Sequence, residues 1–473
     1  MLTVHVRIND AATGKPTPVR LHISGPDHAY FAPFGRIAEF ATGPGEDVGG
    51  GLYTGGESWC IIDGSCEVPL PSGVPLRIRA TKGPEFDEID TTVTLGHGQM
   101  ALRFTITRRS NIRETGWFPG DTRAHFLSPH EAALEAAAED LNIVNLLAHE
   151  HRFASPNGTA YLTVPNMLAF SGQQPALATD AALVAVNTLN THPVLGSVGL
   201  LHSHRAVFPL SFGGEDATDD WSVCDWCDQC HRKNGLTIWV EPSGGEALLA
   251  AILGKIDAIE YDGRPRKPAF LPLYYRLLNA GFRLPIVGGS GKDSNRVPLG
   301  SPRTYAKLAP GEPLTYTNWI NAVRAGRTFA TTGPLLTLAV DDCEPGDTLE
   351  LPDAKSVTVV ATVVGAETLE ILVNGEVAAQ GPGRHELPIT ASGWIAARVS
   401  SPKFAHTSPV IVRVAGKPST RRTEALRPLR KAVEQTREWV ADHGRFADER
   451  RKRQLLEHCD DALNRLRPSE GDS

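Results

Sequence analysis

The chain has 473 residues, which predicts two to four domains because a single domain usually holds about 100–200 residues. Hydrophobic residues make up 41% of the chain and charged residues 21%, a composition that excludes a disordered protein. The formal net charge is -7, which argues against nucleic acid as the main partner, since a surface that binds phosphates needs basic side chains.

No window of the sequence reaches the roughly 18 apolar residues that a membrane-spanning helix requires. Residues 1–7 alternate like a β-strand and lack the apolar stretch of a secretory signal. We therefore expect a cytoplasmic protein with no membrane span. The 7 cysteines do not suggest a disulfide framework, so reduced thiols are expected, with Cys60 and Cys66 the pair that could form a bridge in an exported protein.

Three segments outside the middle of the chain have clear patterns. Residues 1–110 contain short alternating runs separated by Gly, Pro and Asp, which predicts an N-terminal β-sandwich. Residues 336–416 return to strands, and Asn374-Gly375 is a hairpin-turn signal, so a second β-sandwich is expected there. Residues 419–467 have helical periodicity and predict a helical tail, in which Gly444 separates two helices.

Between these segments, residues 115–335 alternate between apolar runs and helical stretches. Strands are predicted at 143–148, 198–202, 236–240, 258–261 and 284–288, and helices at 129–141, 219–233, 245–253, 270–279 and 317–325. Such alternation implies a parallel sheet, either open or closed into a barrel, whose functional groups lie where the strands end.

Histidines and acidic residues gather at the ends of these predicted strands. Alternate residues on a strand share a face, so each His-x-His pair could direct two imidazoles at one ion. Imidazole and carboxylate ligands together suit Zn²⁺, Mn²⁺ or Fe²⁺. The alternative is that these histidines are hydrogen-bonded residues that line loops. The candidate metal ligands are His125, Glu139, His149, His151, His202, His204, Glu241 and Asp293.

Cys224, Cys227 and Cys230 form a second motif that could bind a metal ion or an iron–sulfur cluster. The motif falls inside the predicted helix 219–233, where cysteines three residues apart spread around the helix rather than converging. Small core residues are therefore the favoured interpretation.

With these residues in view, the chain resembles the CehA/McbA (carbaryl-hydrolase-like) metallohydrolase branch of the PHP (polymerase and histidinol phosphatase) superfamily. The resemblance covers about residues 115–335 and is carried by 116–125 (GWFPGDTRAH), 138–142 (AEDLN), 230–236 (CHRKNGL), 274–281 (YYRLLNAG) and 325–334 (AGRTFATTGP). It implies a multidomain protein with a central PHP-like distorted (β/α)7 barrel, flanked by the two β-sandwiches and followed by the helical tail. It also implies one to three metal ions and the hydrolysis of phosphoesters, carbamates or aryl esters.

The metal motifs depart from the pattern of that family. Arg123 stands where the family has the first histidine of Gly-Asp-x-His-x-His, and Glu241 stands where it often has the histidine of His-Pro. Asn295 replaces the closing histidine of Asp-x-His. Because a guanidinium does not lose its proton in proteins, Arg123 would repel a divalent ion.

Two functions therefore remain open. One is a metal-dependent hydrolase of a small ester, carbamate or phosphoester with a reduced metal site. In that hydrolase Asp121 and Arg123 are the expected catalytic residues, and Arg123 and Asn295 the expected substrate-binding residues. The other function is that of an inactive relative, a binding or scaffold protein that holds an anionic or carbohydrate ligand in the former active-site cleft.

Overall fold

A computed structural model describes residues 1–36, 43, 49–154, 160–214, 217–265, 269–417 and 423–467, with only the main chain described at 152–154 and 160–161. The N-terminal part contains the strands β1 (Leu2–Asp10), β2 (Val19–Ser24), β3 (Gly51–Thr54), β4 (Glu57–Ile62), β5 (Ser65–Leu70), β6 (Pro75–Thr81), β7 (Ile89–Thr94) and β8 (Ala101–Ile106). They form a sheet in the order β5-β1-β8 and a second sheet in the order β3-β4-β2-β6-β7. Alternation explains why the sheets enclose a core, since Val4, Val6 and Ile8 of β1 are fully buried while the residues between them are not.

The middle of the chain contains five α-helices among the described residues. In chain order its elements are β9 (Trp117–Ala124), α1 (Pro129–Ala138), β10 (Ile143–Ala148), β11 (His151–Ala154), β12 (Ala160–Thr163), β13 (Leu177–Ala178), β14 (Leu183–His192), β15 (Gly196–Leu201), α2 (Val223–Arg232), β16 (Leu236–Val240), α3 (Gly245–Ile252), β17 (Ala258–Tyr261), α4 (Phe270–Asn279), β18 (Ile286–Gly288), β19 (Arg303–Lys307), α5 (Tyr316–Arg324) and β20 (Thr328–Thr331). Short 3₁₀ turns lie at Ile112–Thr115 and Met167–Ala169.

The last part of the chain is β-rich and then helical. Its elements are β21 (Leu335–Val340), β22 (Thr348–Leu351), β23 (Lys355–Val364), β24 (Glu370–Val373), β25 (Glu376–Gln380), β26 (Gly383–Ile389), β27 (Gly393–Val399), β28 (Ala405–Thr407), β29 (Val410–Val414), α6 (Thr423–Asp442) and α7 (Glu449–Arg465). The predicted turn at Asn374-Gly375 is confirmed, because it joins the antiparallel strands β24 and β25. The predicted division of the tail at Gly444 is also confirmed, because that glycine lies between α6 and α7.

One continuous sheet dominates the molecule. Its strands follow the order β18-β17-β16-β15-β14-β10-β9-β19-β20-β28-β27-β24-β25, so it runs from the middle of the chain into the C-terminal strands. The pairs β9–β10, β10–β14, β16–β17 and β17–β18 are parallel. The pairs β14–β15, β15–β16, β9–β19 and β19–β20 are antiparallel.

The expected distorted (β/α)7 barrel is therefore wrong. Such a barrel needs parallel strands that are each followed by a helix, whereas β14 and β15 are joined by a tight turn and pair in opposite directions. The sequence was misleading here because a fully buried apolar strand has the same pattern in parallel and antiparallel pairs. Strands β14, β19 and β20 also fall outside the predicted elements.

The sheet curls so that its edge strand β18 contacts β9 and the residue Thr304 of β19. At the end of β18, the main-chain N–H of Gly288 donates to Thr304 Oγ1 over 2.7 Å, and Thr304 Oγ1 donates to the Gly288 carbonyl over 2.9 Å. Thr122 of β9 also donates to that carbonyl, over 3.1 Å. The curl consequently brings the ends of β9, β10, β17 and β18 toward one region.

The helices share a core that the linear sequence does not reveal. Trp226 of α2, Leu249 of α3 and Leu277 of α4 pack in the same apolar cluster as Leu429 of α6 and Cys459 of α7. The C-terminal helices thus pack on the middle of the chain.

The three cysteines of α2 are confirmed as core residues, since Cys224, Cys227 and Cys230 are fully buried. All seven cysteines are free thiols. Among the described residues no helix is both long and apolar enough to cross a bilayer.

Candidate functional site

Two parallel strands bring two of the predicted imidazoles together. β9 and β10 are hydrogen-bonded neighbours with the same direction, so residues just past their ends meet at one edge of the sheet. The rings of His125 and His149 lie there with their centroids 4.5 Å apart. The ring of His151 lies 6.0 Å from that of His149. His125, His149 and His151 are called the histidine cluster below.

An aromatic side chain packs against this cluster. The ring of Phe126 lies edge-to-face against His149 at 5.5 Å and against His151 at 5.3 Å. Phe126 has a φ of 62°, a left-handed conformation that is costly for a bulky side chain and that directs its ring between the two imidazoles. The ring stays half-buried, so the cluster combines an apolar face with ring nitrogens.

The imidazoles of His125 and His149 are neutral near pH 7. Burial is the main reason why the pKa of His125 lies well below its ordinary value, and His149 and Arg123 lower it further. Burial also lowers the pKa of His149. His125 Nδ1 lies 2.9 Å from the carbonyl oxygen of Leu147. Because a carbonyl only accepts, Nδ1–H is the donor and Nε2 is left as an acceptor.

Arg123 is surrounded by carboxylates. Its Nε donates to Glu260 Oε1 over 2.7 Å, its Nη1 to Glu241 Oε1 over 3.1 Å and its Nη2 to Asp262 Oδ2 over 3.3 Å. Thr122 Oγ1 donates to the second oxygen of Glu260 over 2.8 Å. Arg123 with Glu241, Glu260 and Asp262 is called the arginine cage.

The cage is nearly dry. The side chains of Arg123, Glu260 and Asp262 are 3%, 0% and 4% exposed, whereas that of Glu241 is 39% exposed. Burial raises the pKa of Glu260, and the Arg123 guanidinium opposes that rise. The carboxylates raise the pKa of Arg123 despite its burial. The guanidinium is therefore a fixed cation, each of whose three nitrogens already donates to a carboxylate.

Asp121, the predicted catalytic carboxylate, serves as a main-chain anchor. It accepts hydrogen bonds from the N–H groups of Arg123 and Ser290, each over 3.0 Å, and from that of Gly300 over 2.8 Å. Burial raises its pKa, and these hydrogen bonds oppose the rise. Asp121 is fully buried, so its carboxylate holds the loop 289–300 against β9 and is shielded from solvent.

Asp293 lies near the histidine cluster, whereas Asn295 is buried beside β3. Arg264 Nη2 donates to Asp293 Oδ2 over 3.1 Å, and the Asp293 charge acts on His149 by raising its pKa against the effect of burial. Asn295 is fully buried, and its main-chain carbonyl accepts from the N–H of Tyr53 over 2.8 Å. The side chain of Asn295 is thus not exposed, and it cannot make the predicted contact with a substrate in this conformation.

Three predicted ligands make their contacts elsewhere. Glu139 forms ion pairs with Arg20 over 3.3 Å and with Arg303 over 3.5 Å. His202 Nε2 lies 3.0 Å from a threonine hydroxyl of α5, and His204 is exposed with its Nδ1 3.2 Å from a main-chain carbonyl. His202 and His204 follow β15 and were expected to bind one ion together, but they make separate contacts.

The described residues do not fit a divalent metal ion beside the histidine cluster. One group in the described part of the chain has three ligand atoms within 4.8 Å of one another, formed by Cys224, Glu246 and His458, and it includes none of the predicted ligands. At the position where the PHP branch that the sequence resembles has a metal-binding histidine, this chain has Arg123. The carboxylates beside Arg123 that could ligate an ion, Glu241, Glu260 and Asp262, are paired with its guanidinium instead.

Two carboxylates of the cage were missed in the sequence. Glu260 and Asp262 are two residues apart at the end of β17, the same spacing that drew attention to the His-x-His pairs. Acidic residues at a predicted strand end were thus an available signal.

Comparisons with known proteins give no relative that assigns a function. No family model matches the chain, and no curated protein matches it. The solved structure of the N-terminal four Ig domains of Dscam1 isoform 8.4 aligns with 88% of this chain and 97% of its own, at 11% identity and a TM-score of 0.14. The same domains of isoform 6.9 align with 87% of this chain and 72% of their own, at 7% identity and a TM-score of 0.15. Likenesses this low carry no argument about fold or function, and the resemblance to the PHP branch stays a prediction.

Proposed function

We propose that the histidine cluster binds a neutral, hydroxyl-rich small molecule, a carbohydrate or a polyol, and does so without a catalytic metal ion. The observation that carries this proposal is the arginine cage. Its three carboxylates, which could otherwise ligate a divalent ion, are paired with the Arg123 guanidinium. The cluster then retains only the chemistry of its imidazoles and of Phe126.

That chemistry suits hydroxyl groups. The neutral imidazole of His125 offers an acceptor nitrogen, and a hydroxyl group can donate to it. The ring of Phe126 offers an apolar face beside polar groups, which is the usual composition of a small-molecule site. Phe126, His149 and His151 are each half-buried and therefore accessible.

A neutral ligand is favoured over an anion because of the local charges. Among the described residues, the two arginines whose charges act on His125 are already paired, Arg123 with its three carboxylates and Arg264 with Asp293. No unpaired positive charge of the cage is therefore left for an anionic ligand, and the carboxylates would repel one. Of the two ligands expected for a binding protein, an anion and a carbohydrate, this argument favours the carbohydrate.

The proposal is tested by calorimetric titration of the purified chain with a panel of neutral mono- and disaccharides and polyols. Metal content is measured on the same preparation, and hydrolysis of p-nitrophenyl acetate and p-nitrophenyl phosphate is assayed with added Zn²⁺ and Mn²⁺. We expect saccharide binding that weakens by about tenfold in Phe126→Ala and His149→Ala, since each removes a contact of 1–2 kcal/mol. His204→Ala is the matched control and should bind like the wild type.

Two results would overturn the proposal. One is the absence of binding to every member of the panel. The other is a stoichiometric metal ion that is lost in His125→Ala together with hydrolytic turnover, which would establish the metal-dependent hydrolase instead.

A further inference from the structure

A cavity lies where three parts of the chain meet. It has a volume of about 290 Å³ and is lined by residues of the N-terminal sheets, by the loop before β19 and by the turns at 332–333 and 403. None of the histidine cluster lines it. Its ligand chemistry is therefore independent of the proposed function.

The lining is rich in cations. Four basic side chains face two acidic ones there: Arg20, Arg109, Arg303 and Lys403 against Glu88 and Glu139. Arg303 is buried, while Arg109, Lys403 and Glu88 are exposed. A concave surface with excess positive charge favours an anion.

Much of the hydrogen-bonding capacity of the arginines is already used. Arg303 donates to the Gly300 carbonyl from Nε and to the Glu139 carbonyl from Nη1, each over 2.7 Å. Arg109 donates to the Pro84 carbonyl from Nε over 3.0 Å and from Nη2 over 2.8 Å. Each nitrogen of Arg303 therefore already has an acceptor, whereas Arg109 keeps the donors at its Nη1 end.

Lys403 differs from the arginines. In the described part of the chain its side chain has no hydrogen bond or ion pair. Its stem passes over Gly333, where an added Cβ would lie 2.9 Å from Lys403 Cδ, so the glycine makes room for it. The ammonium group thus brings three unused donors to the edge of the cavity.

We propose that this cavity binds the phosphate group of a small phosphorylated molecule. The lining cations come from separate segments, with Arg20 on β2, Arg109 after β8 and Lys403 between β27 and β28, and Arg20 already pairs with Glu139. A phosphate dianion places three acceptor oxygens and two negative charges on one group, so it can accept from cations on separate segments at once, whereas a carboxylate group presents two oxygens and one charge. The bound phosphate would then link the N-terminal sheets to the C-terminal strands.

The experiment is calorimetric titration of the full chain with inorganic phosphate, glycerol 3-phosphate and malonate. We expect both phosphates to bind more tightly than malonate, and Lys403→Gln to weaken phosphate binding by about tenfold, as the loss of one charge-assisted hydrogen bond predicts. Arg109→Gln, a second exposed position, is expected to weaken it as well. Lys355→Gln is the matched control, because Lys355 is exposed and pairs with Asp341 away from the cavity.

Several outcomes would refute the proposal. One is that phosphate produces no heat of binding, and another is that Lys403→Gln and Arg109→Gln bind it as tightly as the wild type does. Tighter binding of malonate would identify a carboxylate site. Equal weakening by Lys355→Gln would indicate a general effect of charge, and loss of phosphate binding in His149→Ala would place the anion at the histidine cluster.

Discussion

Replacing Arg123 by methionine tests the arginine cage most directly. Methionine keeps an apolar stem in the space of the arginine side chain but removes the charge. Two of the three carboxylates that it leaves behind, Glu260 and Asp262, are buried. Breaking a buried ion pair costs about 3–5 kcal/mol, and the pair with the partly exposed Glu241 adds at most about 1 kcal/mol. We therefore expect Arg123→Met to lower the free energy of unfolding by about 3–5 kcal/mol near pH 8.

The loss should depend on pH in a defined direction. Burial raises the pKa of Glu260 even beside the guanidinium, and removal of that charge raises the pKa further. A carboxyl whose folded pKa lies above the unfolded value of about 4.3 binds its proton more tightly in the folded state. The variant therefore gains stability relative to the wild type as the pH falls from about 8 toward 5. The difference between their free energies of unfolding becomes smaller over that range.

Urea denaturation followed by tryptophan fluorescence at pH 8 and pH 5.5 measures both effects. Adding Glu260→Gln to Arg123→Met should recover part of the loss, since the double variant leaves one fewer buried charge unpaired. Arg77→Met is the control, because Arg77 and Asp90 form an exposed pair with side chains 51% and 43% exposed. A loss below about 1 kcal/mol at pH 8, or one of the same size at both pH values, would contradict the account of the cage.

Three further predictions concern stability. Burial lowers the pKa of His406 to about 4, so the stability that its neutral form contributes is present above pH 6.5 and is lost as the pH falls to 4. Over that range the free energy of unfolding of the wild type should fall by about 3 kcal/mol more than that of His406→Asn, as measured by urea denaturation. Glu246 is fully buried and accepts from the N–H at the start of α2 and from His458, so Glu246→Gln should lower the thermal midpoint by several degrees, and an unchanged midpoint would refute that role. An added Cβ at Gly289 would lie 2.2 Å from Glu260, so Gly289→Ala should destabilise the chain by about 1–3 kcal/mol in the same assay.

Local sequence patterns predicted many elements correctly. The strands β10, β16 and β17 and the helix α4 have the predicted bounds, because runs of buried apolar residues and helical periodicity are properties of short segments. The direction in which strands pair is not such a property. The tight turn between His192 and Gly196 reverses the chain, so β14 and β15 are antiparallel, and the expected barrel is replaced by a curled mixed sheet.

In the candidate site, too, short segments of sequence predicted some relations between residues and the fold decided the others. The sequence by itself determined that Arg123 stands near His125 and that His149 follows a buried strand, because those relations lie within short segments. Only the tertiary structure decided that Glu260, 137 residues further along, neutralises Arg123, and that Glu139 pairs with other arginines. The reason is physical: an ion pair depends on distances in space, and the folding of the sheet sets those distances between residues that are remote in the chain.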